Sequence, residues 1–252
     1  MRKYFSLYKP LLITAIANKY TFVFNIIFPI ITFIYSNFNI MFSNIFISKE
    51  KIIEDTSYYF AYIIFTTILN SIILQLVYYR ENDHYKFLFF LTKSKWTLLI
   101  SILSVQVTIL LIEILLFDLV VMFIVHRFLL FFIFSSLIST IILIIPVFLL
   151  LSLLLVFKIK VETISICTIA FIFIGFSIVN IRVKGMFLNL ILLFNPIKYL
   201  SIGFEQIGYF FGHSMRFSHI YTSQIILITI LYLLIGIYSI SRYAIRSISE
   251  RG

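Results

Sequence analysis

From Phe128 to Phe157 the chain carries no charged residue, and between Lys95 and Arg127 its only charges are Glu113 and Asp118. Runs of this length leave few folds open. A helix rises about 1.5 Å per residue and a bilayer's hydrocarbon is about 30 Å thick, so about 20 apolar residues cross it. Six stretches qualify: 20–46, 57–79, 97–125, 128–157, 162–181 and 218–240. They are apolar all round, whereas the strands of an outer-membrane barrel alternate polar and apolar residues. Composition agrees: 62% of residues are hydrophobic and 12% charged, against about 25% charged in soluble domains. Cys167 is the only cysteine, which excludes a disulfide scaffold. The 30 Phe and 16 Tyr are read mainly as an AT-rich coding bias that also raises Ile, Asn and Lys. The expectation is an all-α polytopic membrane protein in the plasma membrane, with residues 1–252 as a single transmembrane domain.

Orientation follows from the basic residues. With both termini cytoplasmic, the inner segments hold Arg2, Lys3, Lys9, Lys19, Arg80, Lys86, Lys93, Lys95, Lys158, Lys160, Arg242, Arg246 and Arg251. The outer ones hold Lys49, Lys51, Arg127, Arg182, Lys184, Lys198 and Arg216. The excess of Lys and Arg on one side sets orientation. The net charge of +10 is then an inner-face feature that meets anionic lipid. Nucleic acid is not an expected partner, because no basic soluble domain exists to carry it.

Three segments do not fit a span. Residues 1–18 place Lys3, Ser6, Pro10, Thr14 and Asn18 on one side and Phe5, Tyr8, Leu12 and Ile16 on another. This predicts an amphipathic helix along the inner surface, with Pro10 as a potential break. Residues 80–95 form the longest inner loop and predict a short helix that starts near Asn82 or Asp83 and ends near Lys93 and Lys95. Residues 182–217 are expected to be external: a short helix over Met186–Phe194, a turn at Asn195-Pro196 and a second helix.

Chemistry-bearing residues are sparse. The seven glycines never take the G-x-x-x-x-G-K-[ST] spacing that wraps phosphates. H-E-x-x-H and G-x-S-x-G are absent, so neither zinc-protease nor serine-hydrolase chemistry is expected, nor any bound metal. Glu113 lies near the middle of the third stretch, where an ionisable group costs at least about 2–3 kcal/mol. It either serves a substrate pathway or is held neutral or hydrogen-bonded by neighbouring helices. Asp118 points about 140° away from it on an ideal helix, so the two do not form one acid/base pair. Asp118 is placed with Glu113 on the substrate pathway, and nearer the outer side a hydrated vestibule or a pairing with Arg127 is expected for it. Asn70, Gln75 and Gln106 are expected to join helices by hydrogen bonds.

Together these pieces resemble the permease subunits of ABC exporters of the type-two superfamily, over essentially the whole chain. The sharpest motif is Tyr79-Arg80-Glu81, then Lys86-Phe87-Leu88, Leu91-Thr92 and Ser94, leading into the third stretch. His84 stands near the family's usual glycine, and Lys93 where proline is usual. The second motif is Asn195-Pro196-Ile197-Lys198-Tyr199. The resemblance implies that residues 80–95 are a coupling helix seated in a separate ABC ATPase subunit, with Arg80, Glu81, Asp83, His84 and Lys86 at that contact. ATP and magnesium would bind the partner and not this chain, which would have no enzymatic activity of its own. It also implies a homodimer or heterodimer of permeases, and export of hydrophobic or amphipathic cargo such as peptide toxins, drugs or lipid-like molecules. Exporters of bacteriocins or phenol-soluble modulins are the narrower likeness. Two alternatives stand beside it: a proton-driven transporter using Glu113, and a toxin-binding immunity membrane protein.

Overall fold

A computed structural model describes residues 2–17, 19–42, 48–82, 84–92, 94–126, 129–157, 159–179, 181 and 186–242. Among these residues every regular element is a helix. In chain order the first are α1 (Arg2–Ala17), α2 (Lys19–Ser36), α3 (Phe38–Phe42) and α4 (Lys49–Thr66). A π-helical segment (Thr67–Ile73) and α5 (Leu74–Glu81) continue α4. Next come α6 (His84–Thr92), α7 (Lys95–Val125), α8 (Leu130–Leu151), α9 (Leu153–Val156) and α10 (Val161–Val179). The last are α11 (Met186–Leu193), α12 (Pro196–Phe211) and α13 (His219–Arg242).

Among the described residues five helices are long and apolar enough to cross a membrane: Lys49–Glu81, Trp96–Val125, Leu130–Val156, Val161–Val179 and His219–Arg242. A sixth arises only if α11 and α12, bent by 107° at their junction, count as one span. The expected first stretch is interrupted: its helix ends at Ser36, the chain turns at Asn37, and α3 follows over Phe38–Phe42, with residues 43–46 outside the described ones. The Asn37 side chain donates to the Phe33 carbonyl at 3.0 Å, a local bond that competes with helix continuation. Proline is less disruptive than the sequence suggests. α1, α2 and α8 run through Pro10, Pro29 and Pro146, and the break near the end of α8 falls at Ser152 instead.

Helix starts follow from their caps. Ser48 accepts from the Lys51 amide and Ser94 from the Thr97 amide, at 3.3 and 3.4 Å, supplying acceptors to otherwise orphaned donors. Asn195 accepts from the Ile197 amide at 3.0 Å, with Pro196 in the first turn, where a missing N–H costs nothing. The same side chain donates to the Gly175 carbonyl at 2.9 Å, which ties the bend to α10.

α12 is not a peripheral segment. It packs on α4 and α8, and Ile197, Tyr199, Leu200 and Phe204 are buried. Phe204 stacks on Phe60 with ring centres 4.7 Å apart, and Phe117 of α7 meets Phe60 edge-on. Gly203 and Gly208 allow this closeness: a Cβ there would lie 2.8 Å from Leu143 and 2.9 Å from Ile53. α1 lies along α7, where the Tyr8 and Thr108 hydroxyls are 2.9 Å apart. Its buried face is Leu7 and Leu11, while Ile13 and Ile16 are exposed.

Candidate functional site

The continuous helix from Lys49 to Glu81 is 33 residues long, about 50 Å at 1.5 Å per residue. Thr67 lies 13 residues from both Glu54 and Arg80, so the three sample the middle and the two ends of the bundle. Of the residues singled out by sequence, Glu113 lies at the middle and Arg80, Glu81 and His84 at one end, while Lys198 of the second motif lies at the other.

At mid-depth the Asn25 amide donates to the Thr67 hydroxyl, and Thr67 donates to Glu113 Oε2, both at 3.1 Å. Three elements thus meet at one buried carboxyl. Among the described residues, Thr67 is the one hydrogen-bond donor to Glu113. Glu113 lines a cavity of about 320 Å³ together with Asn70, Ser71, Gln75, Tyr79 and Gln106. Gln106 donates to Gln75 at 3.4 Å, and Gln75 donates to Tyr79 at 2.6 Å. The expected interhelical amide bond is therefore formed by Gln75 and Gln106. Asn70 instead faces the cavity from the π segment, whose widened turns recur at functional sites.

Asp118 is elsewhere. It is fully buried and accepts from Ser136 of α8 at 2.5 Å. The two carboxyls contact different neighbours, as their spacing on α7 requires. Burial replaces the vestibule expected for Asp118, and Arg127 lies outside the described residues.

At the Arg80 end, Arg80 is 1% exposed. Its guanidinium donates to the carbonyls of Leu155, Phe157 and Ile159 at 2.9, 3.2 and 2.9 Å. Glu81 accepts from the Val161 amide at 3.0 Å. The pair therefore braces the joint between α9 and α10. α6 lies just beyond it, exposing His84, Phe87 and Phe90. Asp83 and the side chain of Lys86 lie outside the described residues.

The opposite end holds a charged cavity of about 470 Å³ lined by Glu54, Asp55, Lys198, Glu205 and Arg216. Glu54 pairs with Arg216 and accepts from Tyr209 at 3.0 Å, and Ser57 donates to Glu205 at 3.1 Å. Lys198 donates to the Ile181 carbonyl. Among the described residues no cluster of three His, Cys, Asp or Glu side chains could hold a metal.

Sequence reasoning singled out Glu113 but not Asn25, Thr67 or Ser71 around it, and it marked Tyr79 only as part of the motif before α6. Asn25 carried a usable signal, an amide inside an apolar run. A threonine such as Thr67 is too common in spans to stand out. No protein-family model, curated protein or solved structure matches the chain.

Proposed function

We propose that this chain is the transmembrane subunit of an ATP-driven exporter of hydrophobic or amphipathic molecules, energised by a separate ABC ATPase subunit. It works in the plasma membrane with both termini in the cytoplasm, as a dimer with itself or with a second permease. The observation that carries this reading is the mounting of α6. This nine-residue helix joins α5 to α7 and presents Phe87 and Phe90, 64% and 75% exposed, away from the bundle. A short helix with exposed aromatics is a natural docking piece. The brace at Arg80 and Glu81 ties its base to α9 and α10. A push on α6 thus reaches α9 and α10 through the hydrogen bonds of the two residues that end α5.

In this reading His84, Phe87 and Phe90 face the ATPase, and Arg80 and Glu81 transmit its movement. The test is purification of the tagged chain from its native membrane in mild detergent. A stoichiometric P-loop ATPase is expected with the native chain. It should be lost with the double substitution Phe87→Asp, Phe90→Asp while the melting temperature is retained. A well-folded chain that purifies alone would overturn the reading.

The Glu113 cavity favours one alternative, a proton-driven transporter. It predicts transport by the purified chain in proteoliposomes under a proton gradient, with no ATPase present.

A further inference from the structure

Glu113, 1% exposed, is the one carboxyl among the described residues that line the mid-depth cavity, and no described Lys, Arg or His lines it. Among the described residues, Asn70 and Ser71 make no side-chain hydrogen bond within the chain, and both line the cavity. A carboxylate taken out of water needs a cation or several donors around it. Here the chain supplies the Thr67 hydroxyl.

A second, apolar groove of about 700 Å³ lies alongside, lined by Val23, Phe24, Ile27, Phe28 and Ile31 of α2. It shares Asn70 and Leu74 with the polar cavity. Asn25, in the wall of the groove, hydrogen-bonds Thr67 and through it reaches Glu113. Phe24 and Phe28 stack with ring centres 6.0 Å apart. A polar, singly acidic chamber therefore continues into an aromatic groove at the side of the bundle.

We infer that these two cavities form one binding site for an amphiphile with a single ammonium head. The head sits against Glu113, held by Asn70, Ser71 and Gln106. The apolar body lies along Val23 to Ile31. Amides and hydroxyls supply acceptors for the ammonium protons, and Glu113 supplies the counter-charge in a low-dielectric setting where it acts most strongly. An anionic head would meet Glu113 with a like charge. A neutral head would leave the carboxylate without its cation. This inference deepens the exporter reading by naming the head group of its cargo, and rests on it.

The test uses the purified full chain in phosphatidylcholine nanodiscs with no ATPase added. Three probes share one alkyl chain bearing a diazirine and differ in the head: amine, alcohol or carboxylate. After photolysis, labelled peptides are mapped by mass spectrometry. The amine should label residues 23–31, and the alcohol and carboxylate should label them far less. Glu113→Gln should cut amine labelling by at least about tenfold, the scale on which a desolvated charge pair contributes to affinity. Asp118→Asn, the same charge loss outside the cavity, should leave labelling intact. Suppression by phosphatidylethanolamine in the nanodisc would support the site and name lipid as its source; no suppression would point to transported cargo. Equal labelling by all three heads would overturn the proposal on the native chain alone. So would undiminished amine labelling in a folded Glu113→Gln variant. A chain that binds the amine yet never recruits an ATPase would keep the site and remove the exporter.

Discussion

Arg80 and Glu81, adjacent in sequence, clamp opposite sides of a single joint. Arg80 donates to the Leu155 and Phe157 carbonyls at the end of α9, and Glu81 accepts from Val161 at the start of α10. The last carbonyls of a helix carry partial negative charge and the first amides partial positive charge. The cation thus meets a helix C-terminus and the anion a helix N-terminus. Arg80→Ala should destabilise the chain by about 2–4 kcal/mol, because it strands several buried carbonyls at once. Arg80→Lys should recover little, since an ammonium cannot span three carbonyls as a planar fork does. Thermal melting in detergent, followed by size-exclusion chromatography, checks both.

Glu113→Gln separates the two energy sources. Under ATP coupling, the variant should retain ATPase stimulation and lose transport only of cationic cargo. Under proton coupling, it should abolish transport of every cargo. ATPase rate and uptake into inverted vesicles, measured on one preparation, give the answer.

At Gly236, α13 packs tightly against Leu149 of α8. A Cβ there would lie 2.2 Å from the Leu149 Cβ and 2.7 Å from its Cα. Backbone cannot give way as a side-chain tip can. Gly236→Ala should therefore cost about 3 kcal/mol, at or beyond the upper end of ordinary overpacking. Gly175→Ala should cost less, because its Cβ would meet the flexible end of Ile197. The difference in melting temperature between the two variants measures this contrast.

Asn195 does two jobs at the bend, accepting from Ile197 and donating to Gly175. Asn195→Ala should cost about 1–2 kcal/mol through the lost cap. Asn195→Asp should keep the cap and lose the donor to Gly175, a partial loss. Cysteine pairs across α10 and α12, crosslinked before and after substitution, report whether the bend loosens.

Much of the architecture is legible in the sequence because hydropathy reads on length alone. The stretch ending near Phe157 lacks charges and the one ending near Val125 carries only Glu113 and Asp118, and both form long helices; Asn195-Pro196 marks the sharp bend. What hydropathy does not read is which apolar helix is central. Pro196–Phe211, which carries Lys198, Glu205 and Gln206, is less apolar than Val161–Val179, yet Tyr199 and Leu200 are fully buried whereas Ile166 and Phe173 are 70% and 72% exposed. In a bilayer both arrangements satisfy apolar side chains, so composition carries no preference. Arg80 is illegible for another reason. Its acceptors are backbone carbonyls 75 to 79 residues away, and a carbonyl has no sequence signature. The Asp118–Ser136 bond is hidden likewise, since serines are plentiful throughout the apolar runs.

The π segment has a consequence for how this helix can be altered. Each widened turn accommodates one residue more than an α-helix of the same rise requires. Thr67–Ile73 therefore behaves as an insertion absorbed without a loop. Removing one residue there would let the segment relax to α-geometry while Glu54 and Arg80 kept their partners at the two ends. Only the stretch between them, which carries Asn70 and Ser71, would turn. The wall of the polar chamber is in this sense a module, which can be rotated out of place while the span that carries it stays anchored.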